Sequence, residues 1–341
     1  MLNLKLDISA ESLRCVETGR MLCFYLAAEE YAARHAAEII PSGERAGFLW
    51  SVPPTVIYGR NQDPAAEIDI PYCEAAGIDM QRRKSGGGCV YADAGNIMIS
   101  AICPVAGVEE VFSSFMDDVC GALRSAGVDA VVSGRNDILA GGGKVSGNAF
   151  FVTPTAGIVH GTMLFDTDFA AMEKALRPSK ARFKAVPSVR GRVRNLSELL
   201  PGWTLERFGA HLHRALFNDG NIILGAAAVK EIEAIAMSYR DRDFLAGRAG
   251  VHGREASFRV ENSGQYNVHL ELEEDRRIRS VRIDGDYFVI ADGAQPEINR
   301  RLCGIIDNEI NVSEALEGFY LNDYFKNIDT ATFVKNLYSN E

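Results

Sequence analysis

Arg82-Arg83-Lys84-Ser85-Gly86-Gly87-Gly88-Cys89-Val90-Tyr91, closing on Asp93, Gly95 and Asn96, is the stretch that decides the reading. β-prone residues flank it, so it joins two strands, and three successive glycines there cost backbone entropy that packing alone does not offset. Lacking side chains, their N–H groups can turn into a shared concavity and approach an anion closely, while the arginines beside them carry fork-shaped donors for phosphate or carboxylate. Glycines alone would read as a flexible hairpin turn; with the arginines the stretch reads as a nucleotide-phosphate site. It contains no GxxxxGK[ST], and its glycines are not spaced GxGxxG between a strand and a helix, which weighs against kinase and dehydrogenase chemistry.

Two later segments extend this chemistry. Ser133-Gly134-Arg135-Asn136-Asp137 is followed by Gly141-Gly142-Gly143-Lys144-Val145-Ser146-Gly147-Asn148-Ala149. A lone lysine after a turn is ordinarily a surface residue, but Lys144 is held between glycine-rich stretches, where its ammonium can lie against a transferring phosphoryl group. Asp137 is a candidate magnesium ligand, since ATP chemistry needs a divalent ion and a hard oxygen donor; taken singly, an Asp there would cap a turn. Further on, Val159-His160-Gly161-Thr162-Met163-Leu164-Phe165 sets a histidine beside a β-like apolar run, where composition favours a structural role.

Length and composition bound the rest. At 341 residues the chain exceeds the size at which one core keeps growing, so one large and one small domain are expected. With 47% hydrophobic and 24% charged residues, an ordinary globular protein is indicated. The net charge of -10 argues against a nucleic-acid or membrane-surface binder, although Arg82–Lys84 and the run Lys180, Arg182, Lys184, Arg190, Arg192, Arg194 form local basic patches. The seven cysteines show no CxxC spacing, so most are expected to be buried thiols. The N-terminal residues are too polar for a secretory signal and no run matches a membrane span, giving a cytoplasmic expectation.

Periodicity predicts helices over residues 24–37, 108–126, 168–176, 205–217 and 227–239. Short strands are read at 48–50 and 55–58, split by Pro53-Pro54 in a manner suited to an edge or kinked strand. Residues 80–104 read as two strands around the glycine turn, and others fall at 130–132, 137–140, 149–152 and 158–165. Apolar periodicity fades over 241–253, which marks a boundary. Beyond it lie three antiparallel strands (257–260, 266–272, 278–283) and helices at 297–304 and 312–320. The expected fold class is therefore α+β: a large domain, 1–245, of mixed and antiparallel sheets flanked by helices, and a small C-terminal α/β domain, 253–341.

Together these motifs resemble the lipoate-protein ligases of the biotin/lipoate ligase superfamily. The family's RRxSGGGxVxxDxGN pattern matches Arg82 to Asn96, its GRND matches Gly134 to Asp137, its KxSG[NS]A matches Lys144 to Ala149, and its HGTxL matches His160 to Leu164. Gly59-Arg60-Asn61-Gln62-Asp63-Pro64 is similar to the family's GRxQNP, and residues 188–201 to a loop found downstream. The resemblance implies an ATP-dependent ligase that converts lipoate or octanoate to an acyl-adenylate and passes the acyl group to a lysine of apo lipoyl domains, in 2-oxoacid dehydrogenase complexes or the glycine cleavage H protein.

It also implies roles by position. Lys144 is the catalytic residue, touching nucleotide phosphate and acyl carboxylate. Arg83, Ser85, Gly86, Gly87, Gly88, Cys89, Val90, Tyr91 and Asn96 join it in holding ATP and the acyl-adenylate. His160 and Gly147 join Lys144 around the lipoate, and Asp137 takes Mg2+. The C-terminal unit resembles the accessory domain of the larger bacterial ligases, which assists adenylation. One departure stands out: Ala92 occupies the place of a family histidine. An octanoyltransferase drawing on an acyl carrier protein is the main rival, disfavoured because Ser133 to Gly143 holds no cysteine. A biotin ligase and a non-catalytic lipoate-binding protein are the others.

Overall fold

In the computed structural model, which describes residues 1–6, 21–104, 108–134, 136–177, 192–246 and 253–339, the architecture is α+β. The first half runs β1 (Leu2–Leu6), α1 (Leu22–Arg34), α2 (Ala36–Ile39), β2 (Ala46–Trp50), β3 (Thr55–Tyr58), α3 (Pro64–Glu67), α4 (Ile70–Ala76), β4 (Asp79–Arg82), β5 (Val90–Ala92) and β6 (Asn96–Pro104). Then follow α5 (Val108–Ser125), β7 (Ala130–Ser133), β8 (Asp137–Ala140), β9 (Gly143–Val152), β10 (Ala156–Leu164), α6 (Phe169–Ala175), α7 (Leu205–Leu216), β11 (Asn221–Leu224), α8 (Ala226–Ser238) and α9 (Arg242–Ala246). The chain ends in β12 (Gly253–Val260), β13 (Gly264–Leu272), β14 (Ile278–Gly285), α10 (Ala294–Leu302), α11 (Glu309–Ala315) and α12 (Thr330–Tyr338).

Eight strands make one sheet in the order β11-β1-β2-β6-β10-β9-β8-β7. Its central strands β6 and β10 are buried along nearly their whole length because helices cover both faces. On one face Phe48, Trp50, Met98 and Ile158 pack with α1 and α8; on the other Ile97, Ile99, Val159 and Met163 pack with α5 and α7.

Pro53-Pro54 does not make an edge strand. It carries the chain from β2, inside the large sheet, to β3, the centre of a separate three-stranded sheet ordered β4-β3-β5. Residues 80–104 accordingly hold three strands rather than two. β4 runs parallel and β5 antiparallel to β3, so the glycine turn crosses the end of β3 instead of closing a hairpin. Along β5 side chains alternate between two cores: Tyr91 packs with Val56, Tyr58, Ile68 and Met172, and Ala92 with Trp50, Ile57 and Met98.

Residues 253–339 form their own antiparallel sheet, β12-β13-β14, whose apolar face (Phe258, Tyr266, Val268, Leu270, Val281) packs against α10 and α12 through Ile298, Leu302, Phe333 and Leu337. Short β1 and β11, and helix α12, have no counterpart in the sequence reading. Arg135, most of the basic run (Lys180, Arg182, Lys184, Arg190), residues 188–191 of the downstream loop and Cys15 lie outside the described residues.

Candidate active site

Lys144 is not in a turn; it stands near the start of β9, where the ladder with β8 slips by one residue. Ile138 pairs with Ser146, but Leu139 pairs with Lys144, leaving Val145 as the extra residue of a β-bulge. Without the slip, Lys144 and Gly147 would point to opposite faces; with it, Asp137, Leu139, Lys144 and Gly147 share one. Lys144 Nζ then lies 2.6 Å from Asp137 Oδ1. Glycine at 147 leaves that ammonium its place: a Cβ there would stand 2.8 Å from Nζ, and the flexible end of Lys144 would have to move.

Cross-strand neighbours continue this face through the sheet. One row runs Trp50, Met98, Thr162, Gly147, Asp137 across β2, β6, β10, β9 and β8. At the usual interstrand spacing the row is roughly 19 Å long. It grades from apolar at Trp50 to charged at the Asp137–Lys144 pair, and it floors a cleft of about 1020 Å³ whose apolar end is also walled by Leu22 and Leu26 of α1.

The glycine loop forms the rim. Its crossing over β3 requires Gly59, where a Cβ would stand 2.3 Å from the Gly87 carbonyl. The arginine forks bond backbone carbonyls, and Arg83 also borders the cleft. Arg83 is buried and donates to the carbonyls of Ile57 (3.0 Å), Gly86 (2.8 Å) and Gly88 (2.7 Å). Arg82 donates to those of Gly59, Arg60, Gln62 and Leu245. Arg83 thus holds the loop by its Gly86 and Gly88 carbonyls, while Arg82 holds the neighbouring 59–62 segment.

Helix α1 secures the loop's entry. Its consecutive glutamates, Glu29 and Glu30, are only 2% and 4% exposed. Glu30 binds Lys84 Nζ at 2.7 Å and the Tyr239 hydroxyl at 2.8 Å, and it also pairs with Arg34. Burial alone would raise its pKa; Lys84, Tyr239 and Arg34 overcome this and hold it below 4.5. Glu29 meets His160 Nδ1 at 2.9 Å, and His160 Nε2 meets Ser85 Oγ at 2.7 Å.

Residues 285–288 after β14 dock on the same loop. The Gly87 N–H donates to the Tyr287 carbonyl, Gly285 N donates to Asn61 O, and a Cβ on Gly86 would collide with Tyr287 O. Phe288 is fully buried between Phe112 and Phe150, ring centroids 6.3 and 5.0 Å away. Asp286 and Arg259 of this C-terminal unit also line the cleft.

Of the residues singled out from sequence, Arg83, Gly88, Cys89, Val90, Tyr91, Asp137, Lys144, Gly147 and His160 all border the cleft. Ser85 reaches it through His160, while Gly86 and Gly87 lie beneath Tyr287 and Phe288. Asn96 is buried in the β5–β6 turn, accepting from Asp93 N and Thr167 Oγ1, a structural position. The Cys89 thiol is pushed up by burial, with Glu67 adding to the effect. Sequence reading missed Glu29, Asp286, Arg259 and Phe288. Only Glu29 carried a signal, two adjacent carboxylates inside an otherwise apolar helix. Among the described residues no group of three or more His, Cys, Asp or Glu could hold a metal ion, and no helix is long and apolar enough to cross a membrane.

Residues 23–217 match the lipoyl protein ligase A/B catalytic domain family. The chain belongs to that family. It is 36% identical over 326 residues to the lipoate-protein ligase LplJ of Bacillus subtilis (strain 168), covering 92% of this chain and 96% of the relative. Its fold is that of P. falciparum LipL1, solved in complex with lipoate, at TM-score 0.74 and 19% identity over 99% of this chain and 98% of that one. A lipoate-protein ligase A bound with ATP superposes with TM-score 0.58 at 23% identity, over 72% of this chain and 98% of that one. The bipartite lipoate protein ligase of Thermoplasma acidophilum, described with its E2 lipoyl domain, gives TM-score 0.59 at 22% identity over 73% and 98%. This ligase-family member is an enzyme in which residues of the matched motifs, on the sheet face and on the glycine loop at its rim, border one cleft.

Proposed function

We propose that this ligase joins lipoate, or octanoate, to a specific lysine of apo lipoyl domains in two ATP-dependent half-reactions at the cleft. The observation that carries this is the row from Trp50 to Asp137: an apolar floor ending at a lysine suits an amphipathic acid lying along it, tail toward Trp50 and carboxylate toward Lys144. Neighbours of the same fold described with lipoate, with ATP and with a lipoyl domain support each part of it.

A carboxylate oxygen of the acid attacks the α-phosphorus of ATP; the bond to the bridging oxygen breaks and pyrophosphate leaves. The acceptor lysine amine then attacks the carbonyl carbon of the acyl-AMP, and AMP departs. Lys144, freed from Asp137 by the incoming anions, neutralises charge on both the phosphoryl oxygens and the carboxylate. Loop amides other than that of Gly87, which donates to the Tyr287 carbonyl, receive phosphate oxygens where the loop borders the cleft at Gly88, with Arg83 holding the loop's carbonyls. Apolar walls and the fixed carboxylate position supply proximity.

Mg2+ usually binds through one or two carboxylates together with substrate phosphates, so the single carboxylate of Asp137 beside Lys144 is a sufficient protein donor. Asp137 would hold it, and the ion would screen phosphate charge. The acceptors include the lipoyl domains of 2-oxoacid dehydrogenase complexes and the glycine cleavage H protein, and the C-terminal unit assists adenylation by capping the glycine loop. The thioester route of an octanoyltransferase is disfavoured because the stretch Ser133 to Gly143, upstream of Lys144, holds no cysteine.

The deciding experiment is mass spectrometry of an apo lipoyl domain incubated with the enzyme, ATP, magnesium and lipoate or octanoate in turn. A gain of one acyl group that requires ATP is expected, and it disappears with Lys144→Ala together with pyrophosphate release. Acyl transfer without ATP, or normal pyrophosphate release by the Lys144→Ala enzyme, would overturn the proposal.

A further inference from the structure

A directional chain of hydrogen bonds runs beneath the cleft. Indole is a donor only, so Trp50 Nε1–H must donate to Ser100 Oγ, 2.7 Å away. The Ser100 hydroxyl hydrogen is then committed to Glu29 Oε1, at 2.5 Å. A carboxylate only accepts, so at Glu29 Oε2 the hydrogen must come from His160 Nδ1. Nε2 of a neutral His160 is thereby left as an acceptor, and Ser85 donates to it. Every partner is at least nine-tenths buried, so water does not scramble the order.

From this geometry we infer that Glu29 is a positioning residue for adenylation: it fixes the proton of His160 on Nδ1 and thereby fixes which way the Ser85 hydroxyl faces at the entry to the glycine loop. The inference rests on the ligase reading for its kinetic consequence but not for its structural content. Three elements meet here: α1 through Glu29, β10 through His160, and the loop through Ser85. His160 lines the cleft one cross-strand row from Thr162, and Ser85 precedes the three glycines. With Ser85 donating to Nε2, its oxygen lone pairs and the following loop amides keep a single arrangement. Were His160 to carry its proton on Nε2 instead, it would donate to Ser85 Oγ. The hydroxyl hydrogen would then swing toward the loop and compete for acceptors there. Glu30, the neighbouring carboxylate, grips Lys84 and makes no contact with His160, so the two glutamates have separable roles.

The test is nitrogen NMR of histidine-labelled protein, with His160 assigned by loss of its signal in His160→Asn, alongside acyl-AMP formation. In the wild-type enzyme Nδ1 of His160 is expected to be protonated. Glu29→Gln presents an amide donor that favours the other tautomer. It is expected to move the His160 proton to Nε2 and to lower kcat for acyl-AMP formation by about tenfold or more, on the scale of removing the orienting carboxylate from a metal-bound histidine. Glu30→Gln is expected to leave the tautomer unchanged. An unprotonated Nδ1 in the wild-type protein overturns the inference, and this holds even if Glu29→Gln fails to fold. So does a folded Glu29→Gln enzyme with unaltered kcat. Absence of acyl-AMP formation by the wild-type enzyme would instead refute the ligase reading, leaving the tautomer measurement to decide the role of Glu29.

Discussion

Lys144 lies back across Gly147, so that a Cβ on residue 147 would stand 2.8 Å from its Nζ and 2.9 Å from its Cε. Gly147 is not among the glycines with positive φ, so its backbone accepts alanine and the whole penalty falls on the lysine. Gly147→Ala is expected to displace the ammonium by about an ångström and to slow pyrophosphate release on the order of 10²-fold. Thermal unfolding should change little. A variant that unfolds normally and keeps the wild-type rate would show that Lys144 works from another position.

Glu30 gives the fold an acid sensitivity of known sign. Its folded pKa lies below 4.5, so its ion pairs stabilise the protein above that value and are lost as pH falls through the lowered pKa. Wild-type Tm should therefore decline from about pH 4.5 downward more steeply than that of Glu30→Gln, which starts lower at neutral pH because Lys84 loses its partner. Parallel Tm profiles from neutral to about pH 3 would rule Glu30 out as a contributor.

Phe288 is the plug that holds the C-terminal unit on the glycine loop. Phe288→Ala is expected to cost about 3–5 kcal/mol in denaturant unfolding, since it empties a site enclosed by Phe112 and Phe150. It should also speed proteolytic release of the C-terminal unit. An unchanged cleavage rate would mean that the backbone contacts of Gly87 and Gly285 suffice for docking.

Ala92, where the resemblance led to the expectation of a histidine, is fully buried beside Trp50, Ile57 and Met98. Restoring the histidine should destabilise this chain by about 1–3 kcal/mol, through overpacking and an unsatisfied ring nitrogen. Equal stability of Ala92→His in urea unfolding would indicate room that the structure does not contain.

What the sequence disclosed follows from what is local. The apolar stripe of α5 depends on neighbours within a few positions and packs in the core as read, while Gly88 and Lys144 border the cleft and Gly86 and Gly87 lie beneath Tyr287 and Phe288. The backbone partners of the arginine forks were not legible, because the carbonyls of Ile57, Gly59 and Gln62 lie some 20 residues upstream and meet them only after β3 is inserted between β4 and β5. The bulge at Val145 leaves no mark in composition, yet it decides which face Lys144 occupies. Glu29 was passed over because a helix pattern does not say which carboxylate will find a histidine 131 positions away. Asn96, matched within a site motif, turned inward because the tight turn after Asp93 needed an acceptor.

The crossing of the glycine stretch over β3 also sets its permissible length. Tyr91 and Ala92 enter different cores at the end of that crossing, and strand side chains alternate with a period of two. Removing or adding one residue between Lys84 and Cys89 would exchange them, driving a tyrosine into the slot that fits an alanine beside Trp50. Selection on the number of residues in this loop is therefore exercised by the hydrophobic interior, before any nucleotide arrives.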